Sequence, residues 1–198
     1  MKQQIVLVHG GNAYQSYEDY IFALKEKELT LERLSQVDWK KNLQEDLGED
    51  FEVIAPRMPN AQNAKYLEWE IWFEKMIPFI NDNGIFIGHS LGGIFLAKYL
   101  SEKKYQKKIK AVILVAAPYN SPEHHPLADF VITSPLTSFE EQSQKIIIFH
   151  SSDDTVVYPD NAQRYKENLP NAQLILLQGR GHFNDAHFKE LVEEISSL

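Results

Sequence analysis

The chain has 198 residues, of which 43% are hydrophobic and 12% aromatic, so it suits a folded domain and not a disordered segment. It contains no cysteine, which excludes a disulfide scaffold, a thiol nucleophile and a Cys-ligated zinc site. With 20 basic and 28 acidic residues the formal charge is −8, which argues against nucleic-acid binding because that function needs a basic face.

The beginning of the sequence gives no targeting signal. Lys2-Gln3-Gln4 leads directly into a short apolar run, at residues 5–8, that is too brief for the core of a signal peptide. No stretch of the chain approaches the roughly 20 apolar residues that span a membrane. We therefore expect a soluble cytoplasmic protein without a membrane partner.

Short apolar runs, rich in β-branched residues, predict the β-strands of the fold. Most are apolar at every position, which is typical of strands buried on both faces of a parallel sheet. The predicted strands cover residues 5–8, 51–54, 85–87, 111–115, 146–149 and 174–177.

Helical patterns separate these strands. In residues 65–80, Leu67, Ile71 and Met76 recur on one side of a helix. Strands that alternate with helices predict a doubly wound α/β fold, with a mostly parallel sheet of about six strands and helices on both faces. Ligands of such folds bind beyond the carboxyl ends of the strands. The other predicted helices cover residues 91–100, 161–169 and 185–195.

Two longer segments interrupt this alternation. Residues 14–48 are polar with leucines at roughly helical spacing, and we expect them to be helical. Residues 118–144 include four prolines, and an irregular segment of that length is usually functional or mobile. We predict one α/β domain over residues 1–198, with these two segments forming a small cap.

The sequence Gly-His-Ser-Leu-Gly-Gly at residues 88–93 is the most specific motif of the chain. It lies between a predicted strand and a predicted helix, where a G-x-S-x-G nucleophile elbow is expected. A turn this tight needs glycines at positions 88 and 92, because a Cβ there would clash with the neighbouring strand and helix. We predict that Ser90 is a nucleophile and that the Leu91 N–H, at the start of the helix, stabilises an oxyanion.

A serine nucleophile needs a base, and the base needs an acid to orient it. His182 follows the last predicted strand on a glycine-flanked loop, and we assign it as the base. Asp153 and Asp154 follow the fifth strand, and their side chains are expected to point to different sides of the chain. We favour Asp154 as the partner of His182, with Asp153 as the alternative. The chain order Ser90, Asp154, His182 is the order found in α/β-hydrolases.

The remaining candidate site residues lie on two loops. The sequence His-Gly-Gly-Asn at residues 9–12 follows the first strand, where a second oxyanion donor is expected, and we assign the Gly11 N–H, with Asn12 next. His124, His125 and Asp129 suggest a metal site, but adjacent histidines on one loop rarely converge on one ion. We expect no metal and no cofactor.

These motifs together resemble the α/β-hydrolase superfamily, and within it the compact serine hydrolases of the retinoblastoma-binding protein 9 and YdeN group. The resemblance rests on residues 9–12, 88–93, 153–157 and 179–183 and covers nearly the whole chain from Gln4. It implies an esterase-like hydrolase without a cofactor, and it implies that the second acid of the pair, Asp154, orients the base. Residues 14–48 are longer than the compact pattern of the group.

We therefore predict a serine hydrolase of a small carboxylic ester, or of a thioester or amide, that acts through an acyl-enzyme on a small acyl substrate. Two alternatives remain at this point. One is a catalytically silent protein-binding module on the same scaffold. The other is an acyltransferase that uses the same three residues.

Overall fold

The computed structural model describes residues 2–35, 37–120 and 126–198. Its strands are β1 (Gln3–Val8), β2 (Phe51–Ile54), β3 (Gly84–His89), β4 (Ile109–Val115), β5 (Ile146–Ser151) and β6 (Gln173–Leu177). They form one sheet in the order β2-β1-β3-β4-β5-β6, and every neighbouring pair is parallel. The predicted parallel sheet is thus confirmed, with several strands longer than predicted.

Helices connect the strands and cover both faces of the sheet, as predicted. They are α1 (Tyr17–Glu26), α2 (Leu31–Ser35), α3 (Trp39–Leu47), α4 (Tyr66–Met76), α5 (Leu91–Glu102), α6 (Thr137–Gln142), α7 (Asp160–Asn168) and α8 (Lys189–Ser196), with 3-10 turns at Ile77–Phe79 and Ala128–Phe130.

The alternation of side chains along each strand divides the core into two layers. On one face the strands pack against Trp69 of α4, Phe95 of α5 and Tyr165 of α7. On the other face they pack against Trp39 of α3 and Leu191 of α8. Buried apolar side chains on both faces explain why the strands are apolar at nearly every position.

Two predicted helices differ from the observed ones. The helix predicted over residues 65–80 ends at Met76 and continues as a 3-10 turn. Pro78 explains this, because it has no N–H and its ring would clash with the carbonyl of the preceding helical turn. The helix predicted over residues 185–195 begins only at Lys189, and the carbonyl of Asp185, before the helix, accepts a hydrogen bond from the Trp39 N–H at 2.7 Å.

The two interrupting segments contain helices that differ in burial. In residues 14–48, α3 buries Trp39, Leu43 and Leu47, whereas α1 buries none of its residues. In the described part of residues 118–144, the 3-10 turn and α6 each bury a phenylalanine in the core. No helix in residues 2–35, 37–120 and 126–198 has both the length and the apolar character needed to cross a membrane.

Candidate active site

Ser90 lies at the tight turn between β3 and α5. Its φ of 53° is in the left-handed region, which non-glycine residues rarely adopt. The Ser90 N–H donates to the Val115 carbonyl at 2.9 Å, and its carbonyl accepts from the Gly93 N–H at 2.8 Å. Such strain is typical of functional turns that expose a side chain. As the first residue of α5, Leu91 has an N–H without an intrahelical acceptor, at the positive end of the helix dipole.

The glycines of the motif permit the close approach of three backbone segments. A Cβ at Gly92 would overlap the Val8 carbonyl oxygen of β1, and a Cβ at Gly88 would lie 2.6 Å from the Gly93 Cα. The backbone atoms cannot yield as a flexible side chain would. The prediction that positions 88 and 92 require glycine is therefore confirmed.

Asp154 and His182 form a hydrogen-bonded pair. The Asp154 Oδ2 atom lies 2.8 Å from His182 Nδ1, and the carboxylate is almost fully buried. Its other oxygen accepts the N–H groups of Val156 and Val157, at 2.8 and 3.0 Å. A carboxylate only accepts, so Nδ1 carries the proton, and Nε2 is left for proton exchange.

Asp153 has a different position from its neighbour. It is exposed, and its Oδ1 accepts the Gly179 N–H at 2.9 Å and the Gly181 N–H at 3.4 Å. The Ser151 hydroxyl donates to the same oxygen, and this bond, with those from the two glycines, lowers the pKa of Asp153. Of the two acids, Asp154 therefore contacts the imidazole, whereas Asp153 fixes the backbone just before it.

The loop that carries His182, residues 178–188 between β6 and α8, is called the histidine loop below. Helix α3 makes two side-chain hydrogen bonds to this loop. Trp39 Nε1 donates to the Phe183 carbonyl at 3.0 Å, and the Asn42 amide donates to the Ala186 carbonyl at 2.9 Å. Phe183 has a φ of 55°, so the loop is strained beside His182. The sequence pattern gave no sign of this role for Trp39, because its partners lie far away along the chain.

His89 is a further contact of the histidine loop. Its Nε2 lies 3.0 Å from the His182 carbonyl oxygen, and the two rings are 4.9 Å apart. Burial, with a contribution from nearby Lys40, lowers the pKa of His89 well below its ordinary value of 6.5. The ring is therefore neutral and donates through Nε2, so it adds no positive charge that would oppose protonation of His182.

The loop at residues 9–12 lies against the elbow. His9 Nε2 accepts the Met58 N–H at 2.9 Å, which fixes the ring at the end of β1. The Asn12 N–H donates to the Ala61 carbonyl at 2.8 Å and is therefore already engaged. Gly11 is packed so tightly that a Cβ would lie 2.6 Å from the same Ala61 oxygen. Of the two predicted donors on this loop, Gly11 is the better candidate.

A cavity of about 480 Å³ joins these elements and is called the Ser90 cavity below. Ser90, His182, Gly11 and Asn12 all line it, which brings together residues that follow three different strands. Lys40 also lines it, and burial lowers the pKa of its ammonium group although the neighbouring Asp38 opposes this. The cavity thus contains a nucleophile candidate, a base candidate and backbone donors at the carboxyl edge of the sheet.

The weaker metal candidates do not add to this site. His124 and His125 lie outside the described residues. Asp129 accepts the Tyr66 N–H at 2.9 Å and thereby serves the beginning of α4. In the described part of the chain, no three His, Asp or Glu side chains are grouped so that they could hold a metal ion.

Comparisons with known proteins agree with this fold. The serine hydrolase RBBP9 of Rattus norvegicus is 28% identical over 163 residues, which cover 80% of this chain and 83% of the rat protein. The ydeN gene product of B. subtilis has a similar structure, with a TM-score of 0.77 at 18% identity, over 99% of this chain and 98% of that one. A putative YdeN-like hydrolase of Pectobacterium atrosepticum gives a TM-score of 0.63 at 17% identity, over 99% and 90% of the two chains.

At such low identity the two structural likenesses show the fold alone. The family assignment comes from the sequence, since the model of the family described as serine hydrolase matches residues 32–197, which is most of the chain. The fold is similar to that of the YdeN-like hydrolases, and the chain belongs to the serine hydrolase family.

Proposed function

We propose that the protein hydrolyses small carboxylic esters, or alternatively thioesters or amides, through Ser90, His182 and Asp154. The observation that supports this most is the His182–Asp154 hydrogen bond of 2.8 Å beside a cavity that Ser90 also lines. A serine hydroxyl is a weak nucleophile, and a base oriented by a buried carboxylate is the usual means of activating it.

The proposed first half-reaction forms an acyl-enzyme. Ser90 Oγ attacks the carbonyl carbon of the ester while His182 Nε2 takes the hydroxyl proton. The electron pair of the carbonyl moves to its oxygen, where the N–H groups of Leu91 and Gly11 stabilise the negative charge. The intermediate then collapses, the bond to the leaving oxygen breaks, and His182 gives the proton to that oxygen.

The second half-reaction uses water. His182 Nε2 takes a proton from a water molecule while the water oxygen attacks the acyl carbon. The bond between Ser90 Oγ and the acyl carbon then breaks, and His182 returns the proton to Ser90 Oγ. Asp154 keeps the imidazole in the required tautomer and stabilises its cationic form throughout. The neutral His89 ring beside His182 favours this step because it brings no like charge.

The experiment combines a fluorophosphonate probe with turnover of p-nitrophenyl acetate, for the wild type and Ser90→Ala. We expect labelling and turnover in the wild type only. A folded wild type that neither binds the probe covalently nor releases p-nitrophenol would refute the proposal and favour a silent binding module. Circular dichroism of both proteins provides the control for folding.

A further inference from the structure

An exposed apolar surface lies in the segment that precedes α3. Helix α1 buries none of its residues. Several large apolar side chains on α1, and between it and α3, are exposed, among them Leu24, Leu29 and Leu34. Single exposed apolar side chains need no explanation, but a contiguous group of them marks a binding surface.

Part of this surface forms a groove. Leu24, Leu29 and Leu34 line a concavity of about 500 Å³ and are called the leucine groove below. The remaining two residues of its lining, Lys27 and Gln62, also line the Ser90 cavity. An apolar groove therefore adjoins the cavity in which the ester would react.

The sheet order shows on which side of Ser90 the groove begins. Gln62 follows β2, and its amide oxygen lies 3.5 Å from Asn12 Nδ2 on the loop after β1. Both strands lie on one side of β3, whereas β5 and β6, which precede Asp154 and His182, lie on the other. The leaving group of an ester must lie beside His182, because it receives its proton there. The groove at the opposite side therefore suits the acyl part.

We propose that the leucine groove binds the aliphatic chain of the acyl group, so that the enzyme prefers esters of medium-chain carboxylic acids over acetates. The proposal rests on the proposed hydrolase function. The chemistry of the occupant follows from the lining, since three of its five residues are leucines, which provide apolar contacts for an aliphatic chain. Each methylene that leaves water on binding raises the specificity constant by up to about fourfold.

The test is a series of p-nitrophenyl esters from acetate to octanoate, assayed with the wild type and with Leu29→Ser and Leu34→Ser. We expect kcat/KM of the wild type to rise at least about tenfold along the series, which corresponds to only a few buried methylenes. In both variants the rise should shrink several-fold while acetate turnover is unchanged. These side chains are 66% and 69% exposed, so serine there leaves the core intact.

Phe22→Ser is the matched control. Phe22 is 68% exposed on α1 and lines a different concavity, with Tyr17 and Ile21. It should keep the preference of the wild type. If Phe22→Ser loses the preference as fully as Leu29→Ser does, the effect belongs to the whole segment and the groove proposal is wrong.

Other outcomes separate the groove from the hydrolase proposal. Acetate turnover that depends on Ser90, without any rise along the series, would overturn the groove and leave the hydrolase function intact. Calorimetric binding of octanoate, which needs no turnover, should be weakened by Leu34→Ser and not by Phe22→Ser, and equal binding to all three proteins would also refute the groove. If sedimentation shows a wild-type dimer that Leu29→Ser dissociates, the surface is a subunit interface and the proposal fails.

Discussion

Removal of the Trp39 indole N–H should weaken both the fold and the reaction. Trp39→Phe deletes the hydrogen bond of 3.0 Å to the Phe183 carbonyl and leaves that acceptor in a buried site. The buried carbonyl that is left without its donor costs about 1–3 kcal/mol, and the space left beside the smaller ring costs about 1 kcal/mol more. With the smaller ring, we expect the free energy of unfolding to fall by about 2–4 kcal/mol in urea titration.

The same change should lower kcat for p-nitrophenyl acetate. Phe183 follows His182 directly and has a strained backbone, so the loop is free to relax once its carbonyl loses its donor. A displacement of about 1 Å of a reacting group costs on the order of 100-fold, and we expect a loss of about 10- to 100-fold in kcat.

Leu43→Ala is the matched control for this effect. Leu43 is buried on the same helix, in the core layer beneath the sheet. Its loss should cost a similar amount, about 2–5 kcal/mol, while kcat of the folded protein stays within about twofold of the wild type. If Trp39→Phe and Leu43→Ala destabilise equally and both keep the wild-type kcat, α3 does not position His182 and the reasoning is refuted.

Three further substitutions test other parts of the site. Asp154→Asn should lower kcat by a factor on the order of 10³–10⁴, because it stabilises the wrong tautomer of His182. Asp153→Asn should lower kcat far less, and equal losses of kcat in ester assays would contradict the separate positions of the two acids. The pKa of His89 is lowered in the folded state, so the unfolded state binds more protons below about pH 6.5 and stability falls as the pH drops. His89→Gln should reduce this slope in urea titrations between about pH 5 and about pH 7, and an unchanged slope would argue against a buried neutral ring. Gly92→Ala should destabilise the elbow and abolish turnover, because its Cβ would overlap the Val8 carbonyl; an active, stable variant would show that the turn is looser than described.

The elbow and its partners could be predicted from the sequence because their signals are local. Gly88, Ser90 and Gly92 form a recognisable pattern within a few residues, between a strand and a helix, although the reason for glycine at position 92 is its contact with β1. His182 and Asp154 follow apolar strands of one parallel sheet, so their common location at its carboxyl edge follows from topology. The fold class rests on the same pattern of apolar strands.

The contacts around the histidine loop could not be predicted in this way. Trp39 and Phe183 are far apart in sequence, and nothing in a helical pattern indicates which carbonyl an indole N–H will meet. The adjacent acids raise the same difficulty. Successive side chains of an extended chain point to opposite sides, so Asp153 and Asp154 must face different ways, but this rule does not say which of them contacts the imidazole.

The segment at residues 14–48 shows a second limit. Leucines at helical spacing predict an apolar face, and Leu43 and Leu47 of α3 are indeed buried. Leu29 and Leu34 satisfy the same pattern yet remain exposed. Periodicity identifies an apolar face but not whether the core or a ligand covers it.

The acyl-enzyme is the most direct test of the proposed reaction. Intact-protein and peptide mass spectrometry, after rapid acid quenching of wild type mixed with excess p-nitrophenyl ester, measures the mass and position of the acyl group. We predict one acyl group per chain, on Ser90, and none on Ser90→Ala. An acyl group on another residue, or a Ser90→Ala protein that hydrolyses the ester at the wild-type rate, would contradict the role of Ser90.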